Sequence, residues 1–427
     1  MKAVIMAGGK GTRIASVASD IPKPMIPIDG RPVLEHQIDC LRQQGFTDIL
    51  LIVGHLGNVI RQYFEDGSRF GVRIHYFFER EPLGTAGALF HFQDVLTEDF
   101  LLLNGDIMID VDLERFIRFH QSKHAIASLF THPNNHPYDS ALIETDASGR
   151  VIRWLHKEEK RDVYKNRVNA GIHILSPQLL SARVIVTKKA DLDRDLLKPC
   201  VNGGRLFAYD SPEYVKDMGT PERYRMVCED YRMGKIHAKN LRNKQKAVFL
   251  DRDGTINRYQ GFITKPEDLK LMPGAARAIG KINESGYLAI VVSNQPVIAR
   301  GDCTKEQLNE IHNKMETELG KEGAYIDDLY YCPHHPDKGF EGERPEYKRN
   351  CSCRKPKPGM LLQAAEKYNI DLTRSYMVGD SFRDIEAGLA AGCMAVYLGE
   401  KDSAFPYEGK AECFKDLLAF ANDKMKD

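Results

Sequence analysis

Short apolar runs alternate with amphipathic stretches over the first half of the chain. The runs are rich in Val, Ile and Leu, as is typical of buried strands, and they cover residues 3–6, 49–53, 73–77 and 100–103. Apolar residues recur at helical spacing in residues 33–44 and 113–120, which predicts helices there. This alternation predicts a mostly parallel sheet with helices on both faces.

A second series of apolar runs follows a basic stretch, residues 233–246, that is poor in strand formers. The runs of this series cover residues 247–250, 288–292, 375–378 and 395–397. The pattern predicts an α/β chain of two domains, residues 1–240 and 241–427, each with a mostly parallel sheet flanked by helices. A helical segment and a flexible linker both remain open for the basic stretch.

Composition and charge narrow the possible functions. The 427 residues are 42% hydrophobic and 28% charged, which suits ordinary buried cores. Lys+Arg and Asp+Glu both number 60, so the net charge gives no case for binding nucleic acid or a membrane surface. No apolar run approaches the roughly 20 residues of a membrane span, and the N-terminal run is too short for a signal peptide. We therefore expect a cytoplasmic protein.

Two carboxylates follow the first apolar run of the second half, in the segment Asp251-Arg-Asp-Gly-Thr255. Ligands of open parallel sheets bind at the carboxyl ends of the strands, which is where these residues are expected. Beside a cation, one carboxylate can attack a phosphoryl group and the other can protonate the leaving oxygen. A solvated turn after a strand can contain the same residues. The two carboxylates alone therefore do not distinguish a catalytic site from a turn.

Three later segments supply groups that phosphoryl chemistry needs. Ser293 and Asn294 end another apolar run and suit phosphate oxygens, and Lys355 is a cation that can offset phosphoryl charge. Asp380 follows a third run as a candidate metal ligand. In order and spacing, these segments together with the first resemble the haloacid dehalogenase superfamily.

The resemblance to that superfamily implies a role for each carboxylate. Asp251 is implied to be the nucleophile that forms an aspartyl-phosphate, and Asp253 the general acid and then the base for water. Asp384 is implied to support the metal site. The implied Mg²⁺ ligands are Asp251, Asp253 through its backbone, and Asp380.

The nine cysteines are an odd number, which is unlike a secreted disulfide framework. Two close pairs joined by a loop, Cys332-Pro-His334 and Cys351-Ser-Cys353, suit a tetrahedral structural Zn²⁺ site. His335 is the alternative to His334 as a ligand. A closed site of this kind would fold a loop that has little apolar content of its own.

The cysteine loop and residues 294–301 together resemble one branch of the superfamily, the heptose 1,7-bisphosphate phosphatases. Related histidinol-phosphatases carry a similar loop. Pro296 and Val297 stand where the heptose branch often has Ser-Gly, so the resemblance does not extend to anomer preference. Arg354 is the candidate ligand for the phosphate that stays at C1.

A glycine-rich loop follows the first apolar run of the chain, in Met6-Ala-Gly-Gly-Lys-Gly-Thr-Arg13. Arg13 adds positive charge there, and prolines on both sides of Lys23 hold that second cation on a stiff segment. The loop is neither a dinucleotide fingerprint nor a Walker loop. Its backbone N–H groups can close around phosphates at Gly8, Gly9, Gly11 and Thr12.

Further segments in the first half complete a second resemblance. Gly84 and Gly87 lie in the segment 81–87, and Asp106 ends an apolar run. With the glycine-rich loop and residues 158–160, 168–172 and 215–222, they resemble the sugar-phosphate nucleotidylyltransferases over about residues 1–230.

This second resemblance implies that a sugar 1-phosphate oxygen attacks the α-phosphorus of a nucleoside triphosphate and that pyrophosphate leaves. Asp106 and Asp217 would hold Mg²⁺ on the α-phosphate, while Arg13 and Lys23 would steady the triphosphate. Gly84 and Gly87 would line the nucleotide. The residues implied to face the sugar phosphate are Glu159, Lys160, Asn169 and Gly171, with Lys157 as the alternative to Lys160. Trp154, the only tryptophan, is expected in the core rather than stacked on the base.

The two resemblances in one chain suggest consecutive reactions. The phosphatase would remove the 7-phosphate from D-glycero-D-manno-heptose 1,7-bisphosphate, and the transferase would activate the heptose 1-phosphate. Similarity to manno-configured guanylyltransferases favours GTP, and the GDP-heptose would feed lipopolysaccharide or surface-layer glycans. The alternatives are another NTP or sugar phosphate, a histidinol-phosphate-like phosphatase, or a non-enzymatic sugar-nucleotide sensor.

Overall fold

The computed structural model describes residues 1–9, 21–181, 189–400 and 405–426. The chain divides into two compact units, and both are built from more than one segment. The first unit consists of Met1–His132, Ile143–Leu155 and Val168–Asn240. The second unit consists of Pro133–Leu142, His156–Arg167 and Leu241–Asp427. Two loops from the first half of the sequence thus belong to the second unit.

The first half of the chain alternates strands and helices up to Ala238. Its strands are β1 Ala3–Ala7, β2 Pro27–Ile28, β3 Arg31–Pro32, β4 Asp48–Val53, β5 Arg73–Phe78, β6 Phe100–Asn104, β7 Ile107–Asp110, β8 Ala127–His132, β9 Leu142–Thr145, β10 Val151–Leu155, β11 Val168–Leu175, β12 Leu206–Asp210 and β13 Tyr214–Asp217. Its helices are α1 Val33–Gln43, α2 Gly57–Phe64, α3 Leu113–Lys123, α4 Gln178–Ser181, α5 Pro221–Arg232 and α6 Lys235–Ala238.

The main sheet of the first unit has nine strands, with β10-β9-β11-β6-β1-β4-β5 in order and β8 and β12 continuing from β11. The strands β6, β1, β4 and β5 are parallel, whereas β11 is antiparallel to both β6 and β8. Alternate residues of β1 face opposite sides of the sheet, and both sides are buried. This accounts for continuous apolar runs rather than alternating ones.

The second half continues the alternation with longer helices. Its strands are β14 Ala247–Leu250, β15 Leu288–Asn294, β16 Asp328–Cys332, β17 Tyr376–Gly379, β18 Met394–Leu398 and β19 Ala411–Phe414. Its helices are α7 Ala275–Glu284, α8 Val297–Arg300, α9 Lys305–Lys321, α10 Gly359–Tyr368, α11 Phe382–Ala391 and α12 Leu417–Lys424.

The six strands of the second unit's sheet are all parallel, in the order β16-β15-β14-β17-β18-β19. Val248 and Leu250 of β14 pack into one buried core, and Ala247 and Phe249 pack into another on the opposite face. The strand order reverses beside β14, where ligands of doubly wound folds bind at the carboxyl ends of strands. The predicted phosphatase residues lie at this edge.

The predicted fold class is confirmed, and the strand predictions are accurate to within one or two residues at each end. Trp154 lies in the buried core, as expected. The basic stretch 233–246 contains α6, and Asn369 donates hydrogen bonds to the backbone carbonyls of Leu241 and Asn243 beyond it. No helix among the described residues is long and apolar enough to cross a membrane.

Candidate functional sites

Lys355 lies at the centre of the candidate phosphatase site. Its side chain is 2% exposed, and its ammonium group contacts Asp251 Oδ1 at 2.8 Å and Asp384 Oδ1 at 2.6 Å. It also donates a hydrogen bond to the carbonyl oxygen of Val292 at 2.8 Å. Burial lowers the pKa of Lys355, but attraction from the two carboxylates outweighs burial, so the pKa is raised overall. The buried ammonium is therefore charged and aligned beside the predicted nucleophile.

Three carboxylates crowd this site, since oxygens of Asp251, Asp380 and Asp384 lie within 4.8 Å of one another. Burial, together with the charge of Asp384, raises the pKa of Asp251 to about 7. Burial and the charge of Asp251 raise the pKa of Asp380 to about 6. One lysine does not neutralise three acids, and oxygen ligands suit a hard cation. The donor set therefore fits Mg²⁺.

The carboxylate of Asp253 is held by hydrogen bonds from three neighbouring side chains. Its carboxylate accepts hydrogen bonds from Arg252 at 2.8 Å and 2.9 Å, from Gln295 at 2.8 Å and from Asn257 at 3.0 Å. The Arg252 side chain is buried, and Gln295 also donates to Ser293 Oγ at 2.8 Å. Sequence reasoning did not identify these three donors, although Arg252 lies within the motif itself. They fix the direction of the predicted acid.

Gly254 allows the acidic residues to approach one another. Its φ is +84°, and a Cβ at this position would collide with the carboxylate of Asp380. L-residues rarely adopt this conformation, so both the backbone and the space at this position require glycine.

Asn294 was predicted to bind phosphate, and the structure places its amide on the backbone of Lys355. Its Nδ2 donates to the Lys355 carbonyl at 3.0 Å, and its Oδ1 accepts from the Lys355 N–H at 3.0 Å. Both ends of the amide therefore hold the segment that presents the lysine. Arg354, the candidate for the second phosphate, donates to the carbonyl of His334 at 3.1 Å.

The four predicted zinc ligands converge in space. The sulfur atoms of Cys332, Cys351 and Cys353 lie 3.3–3.5 Å from one another. His334 Nδ1 lies 3.5 Å from the Cys353 sulfur and 3.7 Å from that of Cys332. Hydrogen bonding to Cys332 lowers the pKa of Cys353 to about 5, which favours a thiolate. Three sulfurs and one imidazole nitrogen at these separations fit a tetrahedral metal site.

In the first unit, β7 and β13 bring the two predicted Mg²⁺ ligands together. Asp217 pairs in register with Ile107, and Met218 donates its N–H to the carbonyl of Asp106 at 3.2 Å. Lys23 forms an ion pair with the carboxylate of Asp106. Asp217 pairs with Arg223 at 2.8 Å, a cation that the sequence reasoning missed. Two carboxylates and two cations therefore surround the end of β6.

The glycine-rich loop is described only at its start. Gly11, Thr12 and Arg13 lie outside the described residues, so their roles stay predictions. Gly8 and Gly9 follow β1 directly, and a Cβ on Gly8 would lie 2.6 Å from Glu79 Oε2. Glu79 follows β5, and burial raises its pKa. This carboxylate beside the loop was also missed, although its position after an apolar run could have identified it.

The segment containing Gly84 and Gly87 packs on residues 189–192 of the same unit. Ala86 donates its N–H to the Ala190 carbonyl at 3.0 Å, and Thr85 Oγ1 accepts from the Leu192 N–H at 2.7 Å. A Cβ on Gly84, whose φ is +81°, would collide with that Ala190 carbonyl. Gly84 is thus required for packing, and Gly87 begins a 3-10 helix whose first three residues are buried.

The predicted sugar-phosphate residues divide between the two units. On β11, Gly171 lies against Asn104, since a Cβ on this glycine would be 2.5 Å from Asn104 Nδ2, and Asn169 donates to Asp193 at 3.3 Å. Glu159 and Lys160 belong to the second unit. Glu159 accepts from the backbone N–H of His156 at 2.6 Å, and Lys160 pairs with a neighbouring aspartate. Their roles stay predictions.

Comparisons with known proteins find matches to both halves of the chain. The family model described as nucleotidyl transferase matches residues 2–233, more than half of the chain, and the model described as haloacid dehalogenase-like hydrolase matches residues 201–392. The chain is 40% identical over 185 residues to a D-glycero-beta-D-manno-heptose-1,7-bisphosphate 7-phosphatase of Haemophilus ducreyi, which covers 42% of this chain and 99% of the relative.

The first half is 36% identical over 221 residues to a UTP–glucose-1-phosphate uridylyltransferase of Synechocystis. That match covers 48% of this chain and 57% of the relative, so the chain spans little more than half of that relative's length. A structure named for a glucose-1-phosphate thymidylyltransferase of Bacillus anthracis superposes with a TM-score of 0.50. At 19% identity, over 54% of this chain and 95% of that one, it supports the fold alone.

The chain belongs to the nucleotidyl transferase family, and its second half belongs to the haloacid dehalogenase-like hydrolases. It therefore joins a nucleotidyltransferase domain to a phosphatase domain. Both families generally use Mg²⁺.

Proposed function

We propose that the phosphatase domain removes the 7-phosphate from D-glycero-D-manno-heptose 1,7-bisphosphate and that the transferase domain then joins the heptose 1-phosphate to GTP. The products are inorganic phosphate, pyrophosphate and GDP-heptose. The observation that carries this proposal is the convergence of Lys355 with Asp251, Asp380 and Asp384, in a domain similar to a heptose bisphosphate phosphatase over 99% of that relative's length.

In the phosphatase step, an oxygen of Asp251 bonds to the phosphorus while the sugar oxygen leaves with a proton from Asp253. Water then attacks the aspartyl-phosphate, Asp253 accepts its proton, and phosphate is released. Lys355 and Ser293 hold the phosphoryl oxygens. When bound by Asp251, Asp380 and the Asp253 backbone, Mg²⁺ offsets the charge of the phosphoryl group.

In the transferase step, a phosphate oxygen of the sugar 1-phosphate bonds to the α-phosphorus of the nucleotide, and pyrophosphate departs. The chain's own contribution is to position and neutralise charge, through Lys23 and Arg13 at the triphosphate. Asp106 and Asp217 would hold Mg²⁺, which would offset the negative charge of the phosphates. Asn169 and Gly171, beside Asn104 on the neighbouring strand, would face the sugar phosphate.

Glu79 supports the choice of GTP. An ionised carboxylate only accepts hydrogen bonds. Guanine presents two neighbouring donors, N1–H and the N2 amino group, whereas the matching edges of the other bases place a donor beside an acceptor. We infer that the base, rather than the phosphates, lies beside Gly8, because the carboxylate of Glu79 suits guanine and would repel phosphates.

The converging cysteines and His334 would hold a structural Zn²⁺ as thiolates and a neutral imidazole. Such an ion would take no part in either reaction. It would hold the loop from Cys332 to Cys353, which ends two residues before Lys355.

The test incubates the full chain with both anomers of heptose 1,7-bisphosphate and each of the four NTPs, and measures phosphate and pyrophosphate separately. Histidinol phosphate, glucose 1-phosphate with UTP, and mannose 1-phosphate serve as competing substrates. We expect phosphate release from the heptose bisphosphate and pyrophosphate release only after it, with GTP preferred. Asp251→Asn should lower the rate of phosphate release by about four orders of magnitude or more, as expected for loss of a covalent nucleophile. If no heptose substrate releases phosphate, the substrate assignment is wrong.

A further inference from the structure

Gln295 follows β15 directly and is buried, with 2% of its surface exposed. Successive side chains of a strand face opposite sides, so Gln295 lies on the side of Ser293 while Asn294 faces the other side. The backbone N–H of Gln295 donates to the carbonyl of Cys332 at 2.8 Å, which continues the pairing of β15 with β16 beyond the last strand residue. The sheet therefore fixes the position of Gln295.

The amide nitrogen of Gln295 donates two hydrogen bonds to residues of the phosphatase site. Its Nε2 lies 2.8 Å from Asp253 Oδ2 and 2.8 Å from Ser293 Oγ. Arg252 also donates to the Asp253 carboxylate, so that carboxylate is held as an acceptor and the nitrogen of the amide, not its oxygen, must face it. Both hydrogens of one amide group are thus used, one on the predicted acid and one on the predicted phosphate ligand.

The hydrogen bond from Gln295 also determines what the hydroxyl group of Ser293 can do. Ser293 is 1% exposed, and its Oγ accepts from Gln295, so the single hydroxyl hydrogen must point elsewhere. No acceptor for that hydrogen is found among the described residues. A buried donor without a partner is unfavourable, and a phosphoryl oxygen at the end of β15 would satisfy it. Gln295 therefore orients Ser293 toward a phosphate.

We propose that Gln295 is a positioning residue of the phosphatase, which aligns Ser293 on the phosphoryl group and Asp253 on the leaving oxygen through one amide nitrogen. The inference rests on the proposed roles of Ser293 and Asp253. In the step concerned, Asp251 bonds to phosphorus, the bond from phosphorus to the sugar oxygen breaks, and the proton of Asp253 goes to that oxygen. Loss of the amide would misplace the phosphate ligand and the acid together.

The test uses the full chain with Gln295→Met, which keeps the length of the side chain and removes both donors. Arg252 still pairs with Asp253 in this variant, so the charge of the acid stays compensated. The two substrates are heptose 1,7-bisphosphate, whose leaving alkoxide needs a proton, and p-nitrophenyl phosphate, whose leaving phenolate is stable without one. The measured quantity is kcat/KM, which covers the steps up to the aspartyl-phosphate and leaves out its hydrolysis.

We expect kcat/KM for the heptose bisphosphate to fall at least about a hundredfold, the lower end of what a general acid contributes. For p-nitrophenyl phosphate it should fall less than about tenfold, because only the orientation of Ser293 is lost. The inhibition constant of inorganic phosphate should rise about three- to tenfold, as for one hydrogen bond. Gln363→Met makes the same substitution at an exposed position of α10 and should change none of these values.

Two further variants separate the two contacts of Gln295. Ser293→Ala should lower kcat/KM for both substrates by the same factor and raise the inhibition constant of phosphate. In that background, Gln295→Met should not raise the inhibition constant further. Asn257 donates to Asp253 at 3.0 Å and to the carbonyl of Arg258. Asn257→Leu should therefore reduce heptose bisphosphate hydrolysis more than p-nitrophenyl phosphate hydrolysis and leave phosphate inhibition unchanged.

The outcomes distinguish this inference from the proposed function. A wild type that does not hydrolyse the heptose bisphosphate would overturn the proposed function, and phosphate inhibition would still test the link to Ser293. An active wild type whose Gln295→Met variant loses equally on both substrates would overturn the role of Gln295 at Asp253, since general destabilisation acts on both alike. An unchanged inhibition constant in Gln295→Met would overturn its role at Ser293.

Discussion

At the scale of single residues, Gly254 combines a φ of +84° with direct contact against the carboxylate of Asp380. In Gly254→Ala, the new methyl group must displace that carboxylate from its neighbours. We expect phosphatase kcat/KM to fall at least about a hundredfold, as for other small misplacements of reacting groups. The Mg²⁺ concentration for half-maximal activity should rise as well, and steady-state assays over a Mg²⁺ titration measure both.

Gly261→Ala is the matched control for this prediction. Gly261 also has a positive φ, +78°, but a Cβ there would meet nothing within 4 Å. It should cost about 1 kcal/mol of stability through backbone strain and leave catalysis intact. If both alanine variants lose activity equally, backbone conformation rather than the contact with Asp380 is the cause.

Glu79 provides a second prediction at this scale. Replacing its carboxylate in Glu79→Gln puts a donor where guanine also offers donors. We expect kcat/KM for GTP to fall by about ten- to a hundredfold, corresponding to the 1–3 kcal/mol of a bidentate base contact, while ATP and UTP change little. Glu81→Gln, an exposed change in the same segment, is the control. An equal loss with all four NTPs would mean that Glu79 supports the glycine-rich loop and does not read the base.

At the scale of elements, the apolar runs identified the strands well because both sheets are buried on both faces. Motif residues at strand ends, such as Asp251 and Asp380, were equally predictable, since parallel strands bring their carboxyl ends to one edge. Ion pairs between residues far apart in the sequence were not predictable. Arg167 and Glu316 form a buried ion pair, and nothing local marks either of them as buried. Asn294 shows a related limit, because spacing placed it in the site but did not show that its amide would hold Lys355.

The loop from Cys332 to Cys353 is the element that the proposed Zn²⁺ would stabilise. Cys351→Ser removes one thiolate, so we expect the purified protein to lose its Zn²⁺ by elemental analysis. The thermal unfolding midpoint of the phosphatase domain should fall by at least about 4 °C, because a loss of about 2 kcal/mol in stability produces a shift of this size in such a domain. Phosphatase activity should fall too, because Lys355 follows Cys353 closely. Cys413→Ser, outside the metal cluster, is the control; retention of Zn²⁺ in Cys351→Ser would contradict the ligand set.

At the scale of the whole molecule, the residues proposed for the two reactions form separate sets. The predicted nucleophile Asp251 and its partners belong to the second unit, while Asp106, Asp217 and Lys23 belong to the first. Substitution of an acid in one set should therefore leave the other reaction intact.

A mixing experiment tests this separation. Asp251→Asn should lose phosphate release and keep transfer to a supplied heptose 1-phosphate. Asp106→Asn should do the reverse, with transfer reduced by at least about a hundredfold, as when one charge-stabilising group is removed. Neither variant alone should convert heptose 1,7-bisphosphate and GTP into GDP-heptose. An equimolar mixture should do so, at a rate below that of the wild type because each active site is more dilute. If the mixture forms no GDP-heptose although each variant keeps its own activity, the intermediate must pass within one molecule, and the two reactions are not independent.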